Sequence, residues 1–321
     1  MVSQQRSIDS SFGYRSTAAE VVKGIDLTGK TAIVTGGYSG IGMETVRALA
    51  SVGAHVIVGV RRLDVAQTNL APVAGKVTIL PLDLAVPASI DTFSAAVSSR
   101  MEQLEILINN AAIMATPLER DARGYESQFA VNHLGHFQLT ARLWSLLTAA
   151  DRARVVVLSS SAHGGNGLDI NDANFENRAY HKWAAYAQAK SANALFALAL
   201  DKIGEPRGVR AFAVHPGGID TPLQRHMPEE EKVAMGWMDK EGNLNPLLKT
   251  IEQGASTTVW CATSSLLDGM GGVYCEDCNI GEPWTADNPP MTGVHPHIRD
   301  EALAAALWAK SEDLLKLKFP M

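Results

Sequence analysis

The chain has 321 residues, 46% of them hydrophobic and 19% charged, with a formal net charge of -6. This composition excludes a chain disordered over most of its length, and the acidic balance gives no electrostatic footing for nucleic acid or an anionic membrane as partner. No apolar run reaches the roughly 18 residues of a membrane span, and residues 1–30 lack the basic-then-apolar order of a leader, so a cytoplasmic protein that binds a small molecule is expected.

Residues 1–29 are polar and read as an N-terminal arm, in which Thr17 and Glu20 carry a capping-box pattern for a short helix running to Val22. From Lys30 onward, short β-branched runs alternate with helical segments: TAIVT (31–35), HVIVGV (55–60), KVTILPL (76–82), EILIN (105–109), RVVVLS (154–159) and VRAFAV (209–214), with a seventh strand near 272–274. Nearly continuous apolar strands between helices imply an α/β protein. The fold expected is a doubly wound Rossmann fold, a mostly parallel seven-stranded sheet with helices on both faces and ligands at the carboxyl ends of its strands. Helices are expected at 43–50 and at 184–203, the second capped by Gly204. A single Rossmann-fold domain thus spans 30–282. Within it, residues 216–248 form an insertion with the position of a substrate lid. Residues 283–321 form a C-terminal extension whose helical part, 301–317, packs on the body or on a partner subunit. Cys261, Cys275 and Cys278 suit a reducing compartment, and the one CxxC spacing has no second pair to complete a zinc site, so no metal is expected.

TGGYSGIG (35–42) stands at the first strand-to-helix junction. There Gly36 allows a tight turn, Gly40 lets backbone approach a pyrophosphate and Gly42 permits close helix packing, while Tyr38, Ser39 and Ile41 complete the loop ahead of the helix amides. Its G-x-x-x-G-x-G spacing differs from the G-x-G-x-x-G fingerprint and could be a glycine-rich turn without ligand; the position in an alternating pattern is what favours a dinucleotide site. The second strand ends at Arg61-Arg62, where an NAD site offers Asp or Glu to the ribose hydroxyls; guanidinium groups pair with a 2'-phosphate, so NADP is favoured over NAD. Asp83, followed by Leu84 after the third strand, either accepts from an adenine amino group or caps the next helix.

Tyr186 and Lys190, four residues apart, share one face of the helix expected there. A tyrosine of ordinary pKa near 10 is a poor proton shuttle at neutral pH, and a neighbouring ammonium lowers that value, so the pair suits general acid/base chemistry. In chain order the glycine run, Asn109-Asn110-Ala111-Ala112, Ser159-Ser160, Tyr186 with Lys190, and Pro216-Gly217-Gly218-Ile219-Asp220-Thr221 together resemble the short-chain dehydrogenase/reductase family over residues 28–280. The stretches VNHLGHF (131–137) and SSSAH (159–163) look most like the branch of retinol dehydrogenases and protochlorophyllide reductases. The family's more usual Asn and Gly are absent at Val157 and Ala112.

The resemblance implies an NADP(H)-dependent oxidoreductase interconverting a carbonyl and an alcohol by hydride transfer. Tyr186 would exchange the proton, Ser160 would hydrogen-bond the reacting oxygen, Lys190 would lower the tyrosine pKa and hold the nicotinamide ribose, and Asn132 would orient a relay water. Asn110, Ala111, Pro216, Ile219 and Thr221 would contact the cofactor, and relatives pair as homodimers or homotetramers through the helices bearing Asn132 and Tyr186. Ser161 is an alternative to Ser160. Two other readings compete, a non-catalytic NADP-binding sensor or scaffold and an epimerase or dehydratase of the extended type, whose glycines are spaced G-x-x-G. Met114, His163, Trp183, Met227 and Trp237 are candidates to line an apolar substrate pocket. His133, His136, His181 and His215 read as polar core or edge histidines.

Overall fold

The computed structural model describes residues 4–165 and 167–320; residues 1–3 of the expected arm lie outside this range. The arm contains α1 (Ala18–Val21), and the sheet begins with β1 (Thr31–Thr35), α2 (Gly40–Ser51), β2 (His55–Val60), α3 (Leu63–Leu70), β3 (Lys76–Pro81), α4 (Pro87–Ser98) and β4 (Ile106–Asn109). A helical stretch follows, made of α5 (Ser127–Phe129), a π-helical turn (Ala130–Leu134), α6 (Gly135–Arg142) and α7 (Trp144–Ala149). The second half holds β5 (Ala153–Leu158), α8 (Lys182–Gly204), β6 (Val209–His215), α9 (Glu229–Ala234), α10 (Ile251–Thr263), β7 (Val273–Glu276), β8 (Asn279–Ile280) and α11 (Glu301–Leu315).

The strand order is β3-β2-β1-β4-β5-β6-β7-β8. Pairing is parallel up to β7, and β8 alone runs antiparallel. Eight strands replace the seven expected. The added strand is two residues long, too short to show a period, and follows a tight turn in which Asp277 and Cys278 adopt φ of 51° and 56°. The three cysteines are buried free thiols.

Alternation along the strands builds the two layers. Ala32, Val34, Val56 and Val58 face a core with α2 and α10, whereas Ile33, Ile57, Leu107 and Val155 face a core with Phe93, Phe137 and Phe196. Thr17 closes the expected capping box with Glu20, an arrangement that stabilises a helix start by about 1 kcal/mol. The arm then holds the far end of the sheet, Gln5 Nε2 donating to the carbonyls of Tyr274 and Gly281 at 2.8 and 2.6 Å.

Gly204 is the last residue of α8 rather than its cap, and the chain reverses at Gly208, which takes φ 74°. Gly204 is small for another reason: a Cβ there would stand 2.6 Å from the Val209 carbonyl. Helix α11 ends at Leu315 and lies over α8 and the π-turn. Its Ala304 and Leu307 pack with Phe129, Leu134, Ala192 and Leu195, and Ser311 Oγ is 2.8 Å from His133 Nε2. Part of the surface of the helices that the resemblance assigns to subunit pairing is thus covered by this chain's own extension.

Candidate active site

The strand order reverses between β1 and β4, and a crevice opens there at the carboxyl edge of the sheet. It forms part of a cleft of about 900 Å³. Thr35 organises the crevice. Its hydroxyl accepts the backbone N–H of Asn110 and of Ala111, both at 2.9 Å, and sits 2.9 Å from His136 Nε2. His136 Nδ1 is 2.9 Å from the Asn132 carbonyl, which can only accept, so Nδ1 carries the proton and Nε2 takes the one from Thr35. Burial holds this imidazole neutral by lowering its pKa to about 4. One histidine thereby joins the glycine loop, the post-β4 corner and the π-turn.

In the glycine run, Gly36 takes φ 65°, and a Cβ would lie 3.0 Å from that of Ala111. The helix-packing role assigned to Gly42 belongs to Gly37, whose Cβ would meet Val46 of α2 at 2.7 Å; Gly42 instead leaves room for the Asn110 amide, 2.5 Å from where its Cβ would be. Gly36, Tyr38, Ser39, Gly40, Ile41 and Gly42 all line the cleft, as do Asp83, Leu84, Asn110 and Ala111. Arg61 and Arg62 line its outer end, exposed just beyond β2. Asp83, which lines the cleft, accepts through Oδ1 from Ala85 N at 3.0 Å in an Asx turn ahead of α4.

Tyr186, Lys190 and Ser160 meet in the cleft wall beside Pro216, Ile219 and Thr221. Helix α8 is stitched to the end of β5: Lys190 Nζ donates to the Leu158 carbonyl at 2.9 Å, and Ser159 Oγ donates to the Lys190 carbonyl at 2.8 Å. Ser159 is thus a structural hydroxyl, while Ser160 hydrogen-bonds with Tyr186. Ser161 also reaches the cleft, but its backbone N–H is held by His215 Nδ1 at 3.1 Å.

The electrostatics correct the expectation of an acidified tyrosine. Burial pushes the Tyr186 hydroxyl above its ordinary value, with the Ser160 hydrogen bond opposing, and burial also lowers Lys190 to about 7. The Lys190 Nζ lies over the Tyr186 ring, 5.6 Å from the centroid.

Asn132 is buried, and its side-chain amide both accepts from Ile113 N and donates to Ile113 O at 2.9 Å, which ties the π-turn to the post-β4 loop. His163 lies behind the serine run, where Nδ1 is 2.7 Å from the Ser160 carbonyl and the ring packs edge-on against Tyr274. It does not line the cleft; the extension covers it with His295 and His297. Met227 does not line the cleft but joins Met114 and Tyr186 in one apolar cluster with Trp183, Leu223 and Trp237. Met114, Trp183 and Trp237 do line it, joined by Leu223, Met235 and Met291. His181 caps α8 through Nδ1, 3.4 Å from Ala184 N.

A buried phenol, hydroxyl and amine at the mouth of a dinucleotide-sized crevice define an oxidoreductase of the Rossmann type. The profile of the short chain dehydrogenase family matches residues 30–232. A Streptomyces antibioticus protein described as a "probable oxidoreductase" is 43% identical over 300 residues, covering 91% of this chain and 99% of its own. Human retinol dehydrogenase 12 is 35% identical over 300 residues, covering 92% and 89%. The crystal structure of an uncharacterized Mycobacterium paratuberculosis protein superposes with a TM-score of 0.73 at 32% identity, over 96% of this chain and 100% of that one. The chain belongs to the short-chain dehydrogenase/reductase family and is related to its retinol dehydrogenase branch.

Proposed function

We propose that the protein reduces the carbonyl group of an apolar small molecule at the expense of NADPH. The observation that carries this reading is geometric: the Tyr186 phenol, the Ser160 hydroxyl and the Lys190 amine meet in the wall of the same cleft that the glycine run lines. A protonated phenol so placed can give its proton to a carbonyl oxygen as that oxygen gains charge.

The crevice fits a nicotinamide dinucleotide. The turn at Gly36 and the bare face of Gly42 leave space that any side chain would fill, and the first amides of α2 point toward a pyrophosphate. Arg61 and Arg62 favour the 2'-phosphate of NADP at the adenine end, with Asn110, Ala111, Pro216, Ile219, Thr221 and Lys190 along the nicotinamide half. The bound cofactor supplies the hydride that reduces the carbonyl carbon. The chain's own part is to orient the substrate oxygen between Ser160 and Tyr186, to deliver the phenolic proton, and to keep water out with Met114, Trp183, Leu223 and Trp237. Membership in the family and the relation to retinol dehydrogenases support this reading.

Tyr186→Phe removes the proton donor and keeps the ring. It is expected to lower kcat by about 10³-fold while NADPH affinity, read by fluorescence titration, stays within about twofold. Wild-type turnover in that variant would overturn the assignment.

A further inference from the structure

Two adjacent residues of α9 tie the lid to both walls of the cleft. Lys232 Nζ donates to Asp220 at 3.1 Å, in the turn after β6. Glu231 reaches the other wall with both oxygens: Oε2 accepts from Lys182 Nζ at 2.5 Å and Oε1 from the Trp183 indole N–H at 2.6 Å. Lys182 and Trp183 begin α8, and Trp183 stands one turn ahead of Tyr186 on the same helix face. The two rings meet edge-on, their centroids 6.3 Å apart at 83°.

The two halves of the Glu231 contact differ in weight. The pair with Lys182 is partly exposed, so solvent screens it and it contributes little. An indole N–H on a carboxylate is charge-assisted and directional, and here it fixes a large ring that forms part of the cleft wall with Met114, Leu223 and Trp237. Glu231 is not itself part of that wall. Swinging the indole away from Glu231 would change the cross-section of the space beside Tyr186, and freeing the carboxylate would release the lid.

Resting on the reductase reading above, we propose that Glu231 is a positioning residue: it latches α9 onto Trp183, and so sets the width of the substrate end of the cleft and its preference for slender over branched apolar carbonyl compounds. The latch opens for substrate entry and product release, and its partly exposed ion pair leaves it within reach of solvent.

Two measurements on the full-length chain test this. Glu231→Leu removes both acceptors at similar bulk, and Lys182→Met removes only the ion pair. With NADPH and a series of linear and branched aldehydes, Glu231→Leu is expected to raise KM for linear aldehydes about tenfold, to leave kcat within about threefold and to narrow the linear-to-branched ratio of kcat/KM. Trp183→Phe should act alike, the double variant should be no worse than either single one, and Lys182→Met should stay within about twofold of wild type. In the cofactor-free protein, tryptic cleavage after Arg225 and Lys240 should quicken at least about fivefold in Glu231→Leu, because the open lid is the cleavable form. Wild-type KM and size preference in Glu231→Leu, or unchanged cleavage, would overturn the proposal. A wild-type protein that reduces no carbonyl compound, ketones and quinones included, would overturn the reductase reading, while the cleavage rates still decide whether the latch exists.

Discussion

Lys190 lies in the cleft wall with its ammonium nitrogen on the Leu158 carbonyl, and burial brings its pKa from 10.5 to about 7. Between these two values the unfolded chain holds a proton that the folded chain does not, so folding stability from this group rises with pH across that window. Below about pH 7 both states are protonated and the cost of burying the charge is fully present. Relative to Lys190→Met, which has no such group, wild type is expected to gain stability between pH 7 and 9 and to run parallel to it below pH 6. Urea unfolding at each pH measures this, and a flat difference across the window would contradict it. The meeting of Tyr186, Lys190 and Ser160 in one cleft wall was legible because their spacing and order are properties of the chain itself. His163 and Met227, expected in the pocket wall, do not line the cleft, because a side chain's direction depends on what packs behind it. His136 was read as a polar core histidine, but its bond to Thr35 was not legible: the two lie 101 residues apart, and only the fold closes the bond between them.

The strands were read to within a residue or two because each is a β-branched run bounded by turn residues. Strand β8 and the π-turn were not, since two residues show no period and a π-turn differs from an α-turn only in its hydrogen bonds. Helix α11 was anticipated as a helix, but its seat was left open between the body and a partner. The structure seats it on the body, where Trp308 meets Phe137, Phe196 and Phe319 with centroids 4.9, 5.9 and 4.7 Å away. Trp308→Ala empties the centre of this aromatic cluster and is expected to cost about 3 kcal/mol of stability, read as a shift in the urea midpoint. The helix lies outside the cleft, so the folded fraction should keep its turnover. A midpoint shift under about 0.5 kcal/mol would mean that the helix is held elsewhere.

At the scale of the whole molecule, each part of the cleft comes from a different strand end. The glycine run follows β1, the arginines β2, Asn110 and Ala111 β4, Ser160 β5, and Pro216 to Thr221 β6, with the lid above them. The arm and most of the C-terminal extension hold the frame, Gln5 on the last strands and His295 and His297 behind the serine run, while Met291 of the extension reaches the cleft. The cofactor end of this assembly follows from the order of motifs along the chain. The substrate end depends on the insertion and on Trp183, which no spacing specifies, and the chemical class of the substrate is therefore inferred from the walls alone. The most direct test of the account is the initial rate of NADPH oxidation by the wild-type protein across apolar aldehydes, cyclic ketones, steroids and quinones, repeated with NADH. The account predicts turnover of apolar carbonyl compounds with kcat/KM at least about tenfold higher for NADPH than for NADH. Tight NADPH binding with no turnover of any of these compounds would contradict it.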